Sequence, residues 1–165
     1  MLALYREKVT KTILAFEGTI IRSEQGETLA VFNLPLAQDD HVWRAVQAAQ
    51  AIEEEISQYQ AALPKDHAHR ELKFRFVVNT GWAVAGYAGS GGGRGFTVLG
   101  DVVDLAGEMV ALANDGQIVM GEESFTATAA HVDVLPIRPL RLKGRATAVP
   151  VYVIQTKFPP DNSLM

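Results

Sequence analysis

The chain contains no cysteine, which excludes disulfides, thiol nucleophiles and thiolate metal centres. No apolar run approaches the ~20 residues that a membrane-spanning helix needs. Charges at Arg6, Glu7 and Lys8 come too early for a secretory signal. Positive charge is also scarce: 15 Lys and Arg against 19 Asp and Glu leave a net charge of −4, with no dense basic run. That balance argues against nucleic acid or an anionic membrane as partner. The expectation is a soluble, cytoplasmic protein.

What is present suits one globular domain. At 165 residues and 48% hydrophobic content the chain can bury a sizeable core. Leu2, Tyr5, Val9, Ile13 and Phe16 recur at helical spacing, with Gly18 as the expected stop. Thr19–Arg22 and Thr28–Phe32 read as a hairpin closed by the turn from Ser23 to Gly26. Asp39 or Asp40 is positioned to cap a long helix carrying Val42, Val46, Ala49, Ile52, Ile56 and Tyr59, ended by Leu63-Pro64. The polar stretch Lys65–Arg70 reads as a solvated loop, with His67 and His69, like His41, at the surface.

Further on, Leu72, Phe74, Phe76 and Val78 alternate with charge and predict a strand; Trp82–Tyr87 is another. Six glycines between Gly86 and Gly95 predict a flexible excursion between strands. Gln117–Met120, Val132–Leu135, Arg138–Leu142 and Val149–Ile154 supply further strands, with a short helix near Glu122–Ala129. The pattern is α+β with a mixed or antiparallel sheet. Residues 1–156 form the single domain, and 157–165 a loose C-terminal tail.

The densest information lies in Gly95-Phe96-Thr97-Val98-Leu99-Gly100-Asp101-Val102-Val103-Asp104-Leu105-Ala106-Gly107-Glu108. It reads as strand, glycine turn and helix, with Asp101 as the N-cap. Asp104 and Glu108, four residues apart, place two carboxylates on one helical face. The run resembles the signature of class III nucleotidyl cyclase catalytic domains. Three further blocks are similar to that family in the same order. They are Phe16–Pro35, Gln38–Ala49, and Leu142-Lys143-Gly144-Arg145 before Val149-Pro150-Val151-Tyr152; Asn79–Ser90 adds the central hairpin. The resemblance covers residues 2–155.

It implies a ferredoxin-like, nucleotidyl cyclase-like sandwich, and dimers whose sites are built from both subunits. It also implies two aspartates holding two Mg²⁺ ions, one on a first strand and one in the hairpin turn. Those ions would activate a 3′-hydroxyl and neutralise polyphosphate charge. The sequence departs from the pattern at each catalytic element. The family's first strand would precede the helix with which this sequence begins. Gly26 falls at the second metal position, and the adjacent Glu27 projects to the opposite face. The transition-state Asn and Arg are replaced by Asp104 and Glu108. Loss of such an arginine costs about 10³–10⁵-fold in phosphoryl transfer.

Other ligand-contacting positions are filled. Arg22 matches a base-reading Lys, Thr97 a second base-reading position, and Lys143 and Arg145 a phosphate-binding Lys. Each also fits an ordinary structural role: an exposed strand cation, a β-favouring residue and a cationic turn. Asp104 and Glu108 likewise fit solvated or salt-bridged helix charges, and Trp82 fits core or interface packing. Loss of a central first strand would leave unpaired backbone groups. Three remedies follow: direct pairing across the gap, a strand from another chain, or further upstream sequence.

The leading expectation is a catalytically degenerate cyclase-homology domain, serving as a dimerisation or ligand-sensing module in signal transduction. It would need no cofactor. Its partner would be a second copy or a related cyclase-homology chain, and its ligand a purine nucleotide or small regulator. The alternative is an active adenylate or guanylate cyclase in which Glu27, Asp104 or Glu108 recruits Mg²⁺ or Mn²⁺. A third reading is a structural remnant without a ligand.

Overall fold

A computed structural model describes residues 3–93 and 95–155. The 157–165 tail therefore lies outside the described residues. Helices α1 (Ala3–Ala15), α2 (His41–Ala62), α3 (Asp101–Met109) and α4 (Glu122–Thr128) alternate with eight strands. These are β1 (Thr19–Glu24), β2 (Glu27–Val31), β3 (Phe76–Val78), β4 (Val84–Ala88), β5 (Gly95–Leu99), β6 (Ile118–Gly121), β7 (Val134–Pro136) and β8 (Val151–Ile154). The α+β architecture with a mixed sheet is as the sequence implies. No described helix is long and apolar enough to cross a membrane.

The strands form three sheets. The central one runs β3-β6-β8-β7, with β3 parallel to β6 and the other pairs antiparallel. Its period-2 side chains feed two cores. Ile118 and Met120 on β6 and Ile154 on β8 face Val46 and Ala49 of α2. Val119, Val151 and Val153 face the opposite way, onto Met109 and Ala113 behind α3. All four residues of β6 are buried.

The other two sheets are the hairpins β1-β2 and β4-β5. Gln25 (φ 52°) and Gly26 (φ 80°) close the first as a two-residue turn with both residues left-handed, the geometry that matches strand twist. Ile20, Ala30 and Phe32 of this hairpin pack under α1 and α2, where Tyr5, Ile13, Ile52 and Ile56 form a third core. Direct pairing across the gap does not occur: β2 and β3 share no ladder.

Other expectations are also corrected. Helix α1 is stopped by Glu17 (φ 62°) rather than by Gly18. The Glu17 amide donates to the Leu14 carbonyl and the Gly18 amide to that of Ile13, a Schellman cap. Gly18 serves close approach instead, since a Cβ there would stand 2.7 Å from Ile13 Cγ2 and 2.8 Å from Phe32 Cζ. Asp40 occupies the N-cap of α2 without a side-chain cap bond; its carboxylate accepts from Arg44 Nε at 2.6 Å. His69 is half-buried in a 3₁₀ turn, Ala68–Glu71, its ring packed 5.5 Å from that of Tyr5. The strand expected over Leu72–Val78 shortens to Phe76–Val78. The one expected at Arg138–Leu142 reduces to a single bridge, Leu140 to Val149.

Candidate functional site

The sequence-predicted residues Arg22, Thr97, Asp104 and Glu108 converge on one cleft of about 450 Å³, floored by Val98, Gly100 and Gly107. Three elements supply them. Arg22 reaches in from β1, which packs beside β5. Thr97 lies mid-strand on β5, half-buried. Asp104 and Glu108 project from the exposed face of α3, one turn apart.

Gly100 makes this arrangement possible. Its φ of 150° and the 3.1 Å from an imagined Cβ to the Trp82 carbonyl leave room for glycine alone. The strand can thus reverse into α3 within one residue. Asp101 is then the first helical residue and Gly100 the cap, contrary to the expected Asp101 cap. Asp101 and Asp104 both stand in the first turn, where the helix dipole favours negative charge.

Two of the candidate cations already hold carboxylates. Arg22 Nη2 donates to Glu27 Oε1 across the first hairpin at 2.6 Å, and Arg145 Nη2 donates to Asp101 Oδ2 at 2.7 Å. These bridges are solvent-accessible and exchangeable. The Arg145 bridge ties the Leu142–Arg145 turn to the start of α3. Lys143 is exposed on the same turn, outside the residues lining the cleft. Sequence reading missed Asn79, whose Nδ2 donates to the Val102 carbonyl at 2.9 Å and clamps α3 to the end of β3. A polar residue directly after an apolar strand was the available signal.

The donor set around the cleft is poor in free oxygen ligands for a divalent ion. Gly26, at the hairpin tip, brings no side-chain oxygen, and Glu27 is engaged by Arg22. Among the described residues no three His, Cys, Asp or Glu side chains cluster to hold a metal. Asp104 and Glu108 alone do not fit a two-ion polyphosphate site, which needs several hard oxygen donors.

The fold is that of a nucleotidyl cyclase-like domain. The family model for the adenylate and guanylate cyclase catalytic domain matches residues 24–156, so the chain belongs to that family. Adenylate cyclase 1 of Rhizobium meliloti (strain 1021) is 30% identical over 158 residues, covering 93% of this chain. The chain spans only 23% of that relative. The adenylyl cyclase CyaB from P. aeruginosa superposes with TM-score 0.76 at 19% identity, over 95% of this chain and 81% of that one. The guanylate cyclase domain of RhGC from Catenaria anguillulae, solved with GTP, gives 0.75 at 18%, over 93% and 81%. At these identities the structural likenesses speak to the fold.

Proposed function

We propose that this cyclase-homology domain is catalytically degenerate and works as a dimerisation or ligand-sensing module in cytoplasmic signalling. The observation that carries this reading is the charge of the cleft. Asp104 and Glu108 stand together on its α3 wall, opposite Thr97 and an Arg22 that Glu27 partly neutralises. A triphosphate brought there meets two like charges at close range. Each is worth roughly 1 kcal/mol of repulsion at 4 Å even at the dielectric of water.

The β4-β5 arm supports the dimerisation half of the proposal. Trp82, Val84, Tyr87 and Leu99 are 98%, 74%, 77% and 62% exposed. Val84 and its cross-strand neighbour Leu99 share one face of the arm and Tyr87 lies on the other, and large exposed apolar side chains grouped on one short hairpin suit a partner interface. A second copy or a related cyclase-homology chain is the partner proposed.

The test is to incubate the purified protein with ATP or GTP and Mn²⁺ and to look for cyclic product. None above background is expected. Turnover that is abolished by Asp104→Ala would establish the active-cyclase alternative. Calorimetric titration with the same nucleotides separates ligand sensing from a structural remnant; a saturable heat supports sensing and a flat trace supports the remnant.

A further inference from the structure

No acidic residue occurs between Asp133 and Asp161, and within that interval Arg138, Arg141, Lys143 and Arg145 fall inside eight residues. The rest of the chain has the opposite balance, with 11 Lys and Arg against all 19 Asp and Glu. An acidic protein thus carries one basic strip.

The fold places that strip on an edge. Strand β7 is the outer strand of the central sheet and pairs only with β8. Beyond β7 the chain stays beside β8: the Ile137 amide donates to the Val151 carbonyl at 3.0 Å, and Leu140 and Val149 exchange bonds of 2.9 and 2.8 Å. Leu140 is buried and Leu142 packs on the same core, while Arg141 and Lys143 alternate with them and are exposed. Arg138 is exposed as well, and Leu135 is half-exposed at the start of the strip. Arg145 is engaged by Asp101. Among the described residues Arg138, Arg141 and Lys143 form no salt bridge, and none of them lines the Asp104–Glu108 cleft.

The layout selects the partner. An extended chain covers about 25 Å from residue 135 to residue 143, so the cations are strung along an edge rather than gathered around one anion. A matching ligand carries several anions in a line. Nucleic acid does so, but single-stranded bases need aromatic faces to stack on, and no Phe, Tyr or Trp lies between Phe125 and Tyr152. An anionic membrane would attract the strip and repel the acidic remainder of the surface. Pro136 and Pro139 have no amide to offer, so addition of a further strand through main-chain bonds is blocked. Carboxylates at every second residue of an extended peptide repeat at roughly 7 Å, the same step as from Arg141 to Lys143.

We infer that the edge from Leu135 to Lys143 docks an extended acidic segment of a partner polypeptide. Its carboxylates meet Arg138, Arg141 and Lys143, and an apolar side chain at one end covers Leu135. This role is independent of what the Asp104–Glu108 cleft binds.

The probe is a capped, fluorescein-labelled peptide of about eight residues, a leucine followed by alternating glutamate and threonine, matched in length to the strip. Fluorescence anisotropy is expected to show saturable binding at low salt that weakens about tenfold or more on raising the salt several-fold, as exposed charge pairs are screened. The Arg138→Glu/Arg141→Glu double variant should weaken binding by a similar factor, with urea unfolding unchanged because both side chains are exposed. Lys65→Glu/Lys73→Glu makes the same change in net charge at two other exposed cations and should leave binding as it was. Equal loss in both variants, no loss in the first, or no saturation at millimolar peptide would overturn the inference. Tighter binding of an oligothymidine or of phosphatidylserine vesicles, or self-association, lost in the Arg138→Glu/Arg141→Glu protein, would assign the strip to nucleic acid, a membrane or a second copy and overturn the acidic-segment assignment.

Discussion

The central sheet and the β4-β5 arm are built from similar residues and have opposite fates. On β6 the side chains of Ile118, Val119 and Met120 are all buried, covered from one face by α2 and α4 and from the other by α3. On β4 and β5, Val84, Tyr87 and Leu99 face water. Both are short strands of β-favouring residues, so propensity does not separate them. The number of covered faces does. The sheet holds two of the buried cores of the domain, and the arm leaves its large apolar side chains exposed.

Substitutions sharpen this contrast. Met120→Ala, at a fully buried site, is expected to cost about 2–5 kcal/mol in urea unfolding, because the cavity adds to the lost transfer energy. Gly100→Ala forces a side chain into a left-handed conformation against the Trp82 carbonyl; a loss of about 1–3 kcal/mol is expected in the same measurement. Tyr87→Ala should change monomer stability by no more than about 0.5 kcal/mol. It should nevertheless weaken self-association in sedimentation analysis. A Tyr87→Ala protein that unfolds as readily as Met120→Ala would break the contrast.

The smallest effect concerns acid. Glu55 accepts from Lys8 Nζ at 2.7 Å, joining α1 to α2. This hydrogen bond holds the Glu55 carboxyl below the ordinary carboxylate range, outweighing its partial burial. A depressed carboxylate stabilises the fold above its unfolded pKa and loses that contribution as pH falls through the folded one. Lys8→Met is therefore expected to lower stability by a few tenths of a kcal/mol at neutral pH. The difference from the parent should vanish at pH values below the lowered Glu55 pKa.

Elements with long apolar periodicity were legible in the sequence. The Tyr5–Val9–Ile13 and Val42–Ile56 stripes pointed to α1 and α2, and the turn read at Ser23–Gly26 pointed to the first hairpin, which the structure closes at Gln25-Gly26. Shorter strands were not, because pairing partners rather than patterns decided them. Leu72–Arg75 alternates like a strand, yet Phe74 bonds to the Asp115-Gly116 turn, since β6 begins only at Ile118. Arg138–Leu142 holds Pro139 next to its single bridge, and proline removes a ladder donor. In the cleft, the shared face of Asp104 and Glu108 followed from helical spacing. Their meeting with Arg22, and the Asp101–Arg145 bridge across 44 residues, are tertiary facts that no local pattern encodes.

Gly100 joins the β4-β5 arm to the carboxylate cleft. A Cβ at this glycine would stand 3.1 Å from the Trp82 carbonyl oxygen and 3.3 Å from Ala83 Cα at the root of the arm, while Gly100 itself and Leu99 line the carboxylate cleft. The exposed arm and the carboxylate cleft thus meet at one stretch of main chain. Any side chain at position 100 would therefore press on the main chain of the arm at the edge of the cleft.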